Sequence, residues 1–253
     1  MDIESSNFIK KVIRLGKTDS TNMYAKSHEF SENTLITADS QTSGKGRSGK
    51  SWASPEGCGI YMSMVLFPDV KAAEIMQLTL ICGIAVCEAL GRICDADFKI
   101  KWPNDIVFEE KKVCGILTEC VCEGMNVKKA ICGIGINVNT PDFPADIQDT
   151  ATSLFLICGK KFDRDAIIKD ILEIFEKYYL MLTQKTGIAD IIERYKQLCV
   201  NIGREVVTTG NPQICGTATG ISENGELIIT DKSGKILAVN SGEVSVRGIY
   251  GYI

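Results

Sequence analysis

The segment G-K-G-R-S-G-K-S, residues 44–51, decides how the chain folds, because it matches the P-loop pattern G-x-x-x-x-G-K-[ST]. A P-loop leads straight into a helix whose N-terminal amides bind phosphate. Here Pro55, Gly57 and Gly59 follow, and they would break such a helix in its first turns. The next run, I-Y-M-S-M-V-L-F at residues 60–67, is typical of a buried strand. The segment is therefore predicted to be a glycine-rich loop that joins two strands.

Three cations, Lys45, Arg47 and Lys50, lie on this loop among glycines that permit close approach of the backbone to a ligand. Arginine offers planar bidentate donors and lysine offers a mobile point charge, and both suit an anion. The pattern favours an anion-binding loop. A true P-loop and a solvated basic loop without a function remain as alternatives at this point.

Length and charge limit the classes of protein to which the chain can belong. It has 253 residues, enough for one large domain or for one domain plus a small one, and its net charge is −4. A negative net charge does not favour nonspecific binding to nucleic acid. The N-terminus lacks a signal-peptide pattern, and no uninterrupted apolar stretch reaches the roughly 18 residues that span a bilayer. We therefore expect a cytoplasmic protein that binds neither nucleic acid nor a membrane.

The chain contains eleven cysteines and one histidine, His28. Without export signals, these cysteines are expected to be thiols. Most are expected in the core, because they lie in apolar runs: Cys82, Cys87, Cys114, Cys120, Cys122, Cys132 and Cys158. No C-x-x-C motif occurs, and a single histidine leaves zinc sites and Cys/His dyads without partners. These two classes of site are therefore disfavoured, and His28 is expected at the surface.

Apolar periodicity predicts an α+β protein. Helices are expected over residues 22–30, 72–93, 163–182 and 188–199, and strands over residues 35–38, 60–67, 98–102, 106–108, 113–122 and 127–138. After Gly203 five short β-prone segments alternate with glycine turns, which predicts a small barrel. We therefore place a domain boundary between residues 1–202 and 203–253.

Several polar residues are not explained by core formation. Lys101 lies within a strand-like I-K-W segment, either on a solvated face or paired with a ligand anion or a carboxylate. Asn104 and Asp105 follow a proline, where a turn alone would account for them. The remaining candidates are Ser20, Thr21, Asn22, Gln41, Lys112, Asn137, Asn139 and Arg247.

Together these motifs resemble the signature blocks of biotin protein ligases. The blocks are G-K-G-R-S-G-K-S-W at residues 44–52, K-W-P-N-D-I at 101–106, K-V-C-G-I-L-T-E at 112–119 and G-I-G-I-N-V-N at 133–139. D-S-T-N at residues 19–22 and Gln41 complete the pattern. The resemblance covers nearly the whole chain and implies a class II synthetase-like biotin/lipoate ligase fold. It predicts a mixed β-sheet flanked by helices, as the ligase domain, followed by a small C-terminal SH3-like β-barrel.

The resemblance implies a reaction in two steps. Biotin and ATP form biotinyl-5′-AMP and pyrophosphate, and the biotin then passes to a lysine of a biotin carboxyl carrier protein or domain. Joining a carboxylate to a phosphate requires cations and Mg²⁺ rather than a histidine or cysteine nucleophile. Related ligases are often homodimers, and a homodimer is expected here.

The resemblance also assigns roles to residues. The catalytic residues are expected to be Arg47, Lys112, Lys101 and Asp105. Biotin is expected to bind Ser20, Thr21, Asn22, Gln41, Gly44, Lys45, Gly46, Arg47, Lys112 and Gly115. ATP and the adenylate are expected to bind Lys45, Arg47, Trp52, Asn104, Asn137 and Arg247. Asn104 and Asp105 are expected to hold Mg²⁺, and the glycine loop is expected to close over the adenylate as a lid.

The chain departs from the family pattern in two respects. Lys45 and Lys50 stand where the family often has arginine, which keeps the charge but loses bidentate geometry. Only about a dozen residues precede the first ligase segment, so we expect a ligase without the N-terminal DNA-binding domain that some relatives carry. The alternatives are a lipoate-protein ligase, a P-loop nucleotide hydrolase and a noncatalytic biotin-binding module.

Overall fold

A computed structural model describes residues 8–209, 212–240 and, for the backbone alone, 246–248. The helices are α1 (Thr21–Ser27), α2 (Ile75–Cys94), α3 (Leu154–Cys158), α4 (Arg164–Thr183) and α5 (Ile188–Leu198). The first seven strands are β1 (Lys11–Thr18), β2 (Thr34–Gln41), β3 (Gly59–Leu66), β4 (Lys99–Lys101), β5 (Asp105–Phe108), β6 (Lys111–Glu123) and β7 (Asn126–Asn137). The other five are β8 (Glu205–Thr208), β9 (Cys215–Ile221), β10 (Leu227–Thr230), β11 (Ile236–Val239) and β12 (Val246–Gly248).

The larger sheet has seven strands in the order β1-β2-β3-β7-β6-β5-β4. Strands β1 and β2 are parallel and the other neighbours are antiparallel, so the sheet is mixed, as predicted. The segment at residues 44–51 joins β2 to β3, with a bridge between Lys45 and Ser51 and one short 3₁₀ turn over Arg47–Gly49. The prediction of a loop between two strands is confirmed, and the P-loop alternative is excluded because no α-helix begins at this loop.

The two faces of this sheet have separate apolar clusters. Successive side chains of a strand point to opposite faces, so Met62 and Met64 of β3 lie opposite Val65. The two methionines belong to the main core, which α2, α4 and α5 cover. Val65 packs with Ala25 of α1 in a second, smaller cluster. Helix α1 therefore packs on this other face of the sheet.

Two elements were not predicted from the sequence. Strand β1 mixes polar and apolar residues and lies half-buried at the edge of the sheet, so its apolar pattern is weak. Helix α3 has only five residues, and Ser153 caps it by accepting a hydrogen bond from the amide of Leu156. The β6–β7 hairpin is also tighter than expected, since only Gly124 and Met125 separate the two strands.

The second sheet has five antiparallel strands in the order β11-β10-β9-β8-β12 and forms the small SH3-like unit predicted after Gly203. It is fixed to the larger unit by the loop before β10. Trp102 is 1% exposed, and its indole Nε1 donates to the carbonyl of Gly225 at 3.0 Å. Gln77 Nε2 of α2 donates to the carbonyl of Glu223 at 2.8 Å. The tryptophan of the K-W-P-N-D block therefore holds the two units together, and the boundary at residue 202 stays a prediction.

One helical stretch in the described part of the chain, Ala72–Cys94, has the length and composition to cross a membrane, although 72% of its apolar window is buried in the protein. This burial is typical of a helix at the centre of a core. The sequence predicted this helix but not a membrane span, because Gln77 and Glu88 interrupt the apolar run.

All eleven cysteines are free thiols. Four are buried as predicted, namely Cys82, Cys87, Cys114 and Cys132, and Cys199 is buried as well. The expectation of a core position is wrong for Cys122, which is exposed, and for Cys120 and Cys158, which are partly exposed. Cys120 and Cys122 lie towards the end of β6, where the strand becomes exposed.

Replacing Trp102 by phenylalanine tests how the two units are joined. The substitution leaves the buried carbonyl of Gly225 without its donor, and we expect the free energy of unfolding to fall by about 1–3 kcal/mol. Urea denaturation measures this change. Met125→Ala, at a side chain that is 75% exposed, is the control and should change the free energy by less than about 0.5 kcal/mol. Equal stability of the two variants would contradict the anchoring role.

Candidate functional site

A cavity of about 720 Å³ opens between α1, the glycine loop and the strands β6 and β7. Its lining unites residues from distant parts of the sequence, most of which the sequence analysis predicted as ligand-binding. The predicted residues that line it are Ser20, Thr21, Asn22, Gln41, Lys45, Gly46, Arg47, Trp52, Asn104, Asp105, Lys112, Gly115 and Asn137. This convergence on one space identifies the cavity as the candidate site.

The wall on the α1 side is a chain of hydrogen bonds. The backbone amide of Thr21 donates to Gln41 Oε1 at 2.8 Å. Ser63 Oγ of β3 lies 2.7 Å from Thr21 Oγ1 and donates to Asn22 Oδ1 at 2.6 Å. Ser20 is the N-cap residue of α1, but its side chain makes no capping hydrogen bond. The wall is therefore a fixed array of amides and hydroxyls at the start of a short helix.

Ser63 is a site residue that the sequence analysis missed. It is fully buried, and it connects two predicted residues, Thr21 and Asn22. The signal was a single hydroxyl within the apolar run I-Y-M-S-M-V-L-F. Because a buried polar group requires a partner, such a residue points to a polar contact on one face of the strand.

The floor of the cavity is made of glycines. Gly115 of β6 and Gly135 of β7 are cross-strand partners, and the indole of Trp52 lies against both. A Cβ added at Gly135 would lie 2.6 Å from Trp52 Nε1, and one added at Gly115 would lie 3.1 Å from Trp52 Cζ3. At Gly133, two residues earlier in β7, a Cβ would overlap Asn22 Oδ1. Trp52 and Asn22 can therefore lie directly against the sheet only because these three strand positions carry no side chain.

Gly133 and Gly135 were quoted within the G-I-G-I-N block but were not assigned to the site. Their spacing of two residues along a strand was the available signal, since residues i and i+2 lie on the same face. Trp52 Nε1 on this floor is buried and has no hydrogen-bond partner in the part of the chain that the structure describes. A buried indole N–H usually has a partner, so this donor is available to a ligand.

Two cations, Arg47 and Lys112, line the cavity. Arg47 Nη1 of the glycine loop donates to Asn104 Oδ1 at 2.9 Å. Lys112 Nζ of β6 pairs with Asp105 Oδ1 at 2.7 Å and lies 5.3 Å from the centre of the Trp52 ring. Burial lowers the pKa of Arg47, and the Asp105 carboxylate opposes that shift, so the guanidinium stays charged. The site thus concentrates positive charge beside a hydrogen-bonding wall.

The side chains of Asn104 and Asn137 are held by backbone groups. Asn104 Nδ2 donates to the carbonyl of Ile116 at 2.8 Å, which fixes the turn after Pro103 to β6. Asn137 Nδ2 donates to the carbonyl of Thr152 at 3.1 Å. The segment before Thr152 forms a rim that the sequence analysis missed, with lining residues Thr140, Asp142, Phe143, Pro144, Ile147, Thr150 and Ala151. No periodic pattern marks this rim, because it is a loop.

The predicted Mg²⁺ ligands, Asn104 and Asp105, already have partners in Arg47 and Lys112. Within the described residues, no group of three or more His, Cys, Asp or Glu side chains could hold a metal ion. Mg²⁺ is commonly held by one or two carboxylates together with phosphates of a substrate. The donor set therefore fits an ion that arrives with a nucleotide and uses Asp105, and it does not fit a site built from protein alone.

Three predicted residues are not part of this lining as described. Gly44 lies behind it, where a Cβ would meet the carbonyl oxygen of Trp52 at 2.5 Å. Lys101 is 6% exposed, so the solvated-face interpretation is wrong, and it does not line the cavity. The roles predicted for Gly44 and Lys101 stay predictions that their positions do not support. The side chain of Arg247 lies outside the described residues.

Replacing Gly135 by alanine tests the glycine floor. We expect the added methyl group to displace the Trp52 indole, which should then be quenched more strongly by acrylamide in fluorescence measurements. Gly16→Ala on β1 is a matched control, because a Cβ there would have no atom within 4 Å. Trp102, the other tryptophan, is buried elsewhere and contributes a constant background. Quenching equal to that of the control would show that Trp52 does not rest on the floor.

Two family models match the chain. The biotin/lipoate A/B protein ligase family matches residues 14–137, and the biotin protein ligase C terminal domain matches residues 202–247. The chain is 40% identical over 206 residues to the bifunctional ligase/repressor BirA of Bacillus spizizenii, which covers 80% of this chain and 63% of the relative. The chain thus spans somewhat less than two thirds of the length of that relative.

Two further matches extend over most of both aligned chains. The chain is 30% identical over 230 residues to the biotin--[acetyl-CoA-carboxylase] ligase of Paracoccus denitrificans, covering 87% of this chain and 95% of the relative. The biotin protein ligase from Aquifex aeolicus, solved in complex with biotin and ATP, has a TM-score of 0.84 and 37% identity, and the match covers 95% of this chain and 100% of that chain. With the glycine loop and the cavity in place, these matches show that the chain belongs to the biotin protein ligases of the biotin/lipoate A/B protein ligase family.

Proposed function

We propose that this protein activates biotin with ATP to biotinyl-5′-AMP, releasing pyrophosphate, and then transfers biotin to a lysine of a biotin carboxyl carrier domain. One observation carries the proposal: a single cavity joins the hydrogen-bonding wall of α1 to the cations Arg47 and Lys112. The relative from Paracoccus denitrificans is named as a biotin ligase, and the solved Aquifex aeolicus ligase holds biotin and ATP, which supports the same chemistry.

The wall suits the ring system of biotin. The ureido group has one carbonyl acceptor and two N–H donors, and it requires an array of fixed amides and hydroxyls. Thr21, Asn22 and Gln41 provide such an array at one end of the cavity, and the buried Ser63 fixes Thr21 and Asn22 by hydrogen bonds. The glycine floor, with Trp52 on it, accepts flat and apolar parts of a ligand because no side chain projects from it.

The cations suit the first chemical step. The biotin carboxylate attacks the α-phosphorus of ATP, a new C–O–P link forms, and pyrophosphate leaves with the electron pair of the broken P–O bond. Both reactants are anions, so Arg47 and Lys112 lower their repulsion in a partly buried site. Mg²⁺ bound to the phosphates would supply further charge neutralisation beside Asp105. For the carboxylate to be held by Lys112, it must compete with Asp105, which is already ion-paired with that lysine.

In the second step the acceptor amine attacks the acyl carbon of the anhydride, and AMP leaves. Asp105 is a carboxylate at the cavity, and it is the first residue of β5. Its negative charge would attract the incoming lysine ammonium once the nucleotide occupies Lys112. The glycine loop, as a lid over the adenylate, would keep water from the anhydride.

The proposal also covers assembly and location. We propose a homodimer, supported by the position of β1 at the edge of the larger sheet, because an edge strand offers backbone groups with which a second chain can pair. A cytoplasmic location is supported by eleven free thiols, since disulfides are rare in that compartment.

The alternatives predict different chemistry. A lipoate ligase would present an apolar pocket to the dithiolane ring, which has no N–H or carbonyl, whereas this wall is polar. A noncatalytic biotin-binding module would have no need for Arg47 and Lys112 beside the wall. Both alternatives can be separated from the proposal in one assay.

Incubation with ATP, Mg²⁺ and either biotin or lipoate tests the proposal. We expect pyrophosphate release that depends on biotin, and labelling of an added biotin carboxyl carrier domain. Release with lipoate would indicate a lipoate ligase, and biotin binding without pyrophosphate would indicate a binding module. Absence of biotin-dependent pyrophosphate would refute the proposal.

Substitution of the two cations tests whether this activity resides in the cavity. Arg47→Ala and Lys112→Ala should each lower the rate of adenylate formation by roughly 10²–10³-fold, because each removes a charge from the transition state. Lys128→Ala, which removes an exposed lysine of the β6–β7 hairpin, is the matched control and should keep the full rate. Thermal melting checks that the variants fold. Unchanged adenylation in both cavity variants would contradict the site.

A further inference from the structure

Glu119 ends the K-V-C-G-I-L-T-E block on β6, yet neither the cavity lining nor the reaction uses it. Its carboxylate lies behind the α1 wall and binds that helix twice. Oε2 accepts from Asn22 Nδ2 at 2.9 Å, and Oε1 accepts from Lys26 Nζ at 2.6 Å. The two oxygens therefore connect a strand of the floor to both ends of a short helix.

The Asn22 amide has a defined orientation because of these contacts. Its Nδ2 donates to the Glu119 carboxylate and to the carbonyl of Leu117 at 3.2 Å, and both of these groups can only accept. Its Oδ1 accepts from Ser63 at 2.6 Å. A flipped amide would place Oδ1 against two acceptors and Nδ2 against Gly133, where the floor allows no additional volume. The carboxylate thus disfavours the flipped form because it can accept a hydrogen bond and has none to donate.

The orientation of Asn22 determines the polarity of the wall beyond it. Ser63 has one hydroxyl proton, and Asn22 Oδ1 accepts it. The pattern of donors and acceptors that Thr21 and Gln41 offer to the cavity depends on where that proton lies, because Ser63 Oγ is also 2.7 Å from Thr21 Oγ1. Glu119, although outside the cavity lining, thereby influences which ligand atoms the wall can bind.

We propose that Glu119 is a positioning residue for recognition of the substrate head group: it orients Asn22 so that the wall binds a cyclic urea and discriminates against a ring without N–H or carbonyl groups. The inference rests on the proposed function. A site built to hydrogen-bond a ligand rejects an analogue that leaves its buried groups unpaired, so the discrimination depends on the fixed orientation. Lys26 is a counter-ion that is 41% exposed and contributes little to it.

Three variants separate positioning from a general structural role. Glu119→Ala removes both hydrogen bonds, Glu119→Gln keeps an acceptor for Asn22 without the charge, and Lys26→Met removes only the ion pair. Biotin affinity is measured by calorimetry without ATP, and the KM for ATP is measured in the pyrophosphate assay. We expect Glu119→Ala to weaken biotin binding by about 10- to 100-fold and to leave the KM for ATP within about twofold. Glu119→Gln should recover most of the affinity, and Lys26→Met should stay within about threefold of the unmodified protein.

A double variant tests the route through Asn22. Because Glu119 acts through that amide, Asn22→Ala combined with Glu119→Ala should bind biotin no more weakly than Asn22→Ala alone. Glu119→Met, which retains side-chain volume, replaces the alanine variant if the latter does not fold. Additive losses, equal losses for biotin and ATP, or no rescue by glutamine would each overturn the inference.

The unmodified protein distinguishes this inference from the function on which it rests. If it binds biotin and releases pyrophosphate while Glu119→Ala binds biotin equally well, only the positioning role is wrong. If the unmodified protein does not bind biotin, the proposed function fails and the inference fails with it.

Discussion

The site depends on the absence of side chains at three positions of two paired strands. Gly133 and Gly135 of β7 and Gly115 of β6 allow Asn22 and Trp52 to contact the sheet directly, and a methyl group at Gly133 or Gly135 would overlap one of them. Glycine in a strand interior lowers the stability of the sheet, so these residues are retained against a local cost. That cost is compatible with folding because β6 and β7 are central strands, covered on their other face by α2. Packing of α2 on one face of the sheet thus allows the glycines on the opposite face to form the ligand site.

Both cations of the site have partners within the protein. Arg47 donates to the neutral oxygen of Asn104 and also lies in the field of Asp105, whereas Lys112 is ion-paired with the Asp105 carboxylate directly. An amide oxygen is a weaker partner for a guanidinium than a phosphate is, so an incoming anion gains more from Arg47 than it displaces. At Lys112 the exchange is closer to neutral, because one anion replaces another. The glycine loop therefore carries Arg47, the cation that an incoming anion binds with less competition from the protein.

The sequence was sufficient where local chemistry determines structure. The broken helix after residue 51 excluded a P-loop, and the apolar run at residues 60–67 identified β3, because both depend on a few neighbouring residues. The sequence was insufficient for Ser63 and Glu119, whose roles come from partners 41 and 97 residues away. It also failed for β1, whose edge position requires little apolar surface. Lys101 lies outside the cavity lining although its motif suggested a place in the site, because a motif gives spacing along the chain and not the direction of a side chain.

Gln41 connects the two ends of the site. Its Oε1 accepts from Thr21 of the wall, and its Nε2 donates to Ser54 Oγ at 2.8 Å. Ser54 Oγ in turn donates to the carbonyl of Trp52 at 3.1 Å, and the Trp52 amide donates to the carbonyl of Gly44 at 2.8 Å. The start of the glycine loop, its closing residue and the head-group wall therefore share one hydrogen-bonded framework. Each hydrogen bond in such a chain polarises the next. A ligand that binds the wall is therefore expected to strengthen the hydrogen bonds at the base of the glycine loop, which carries Lys45 and Arg47.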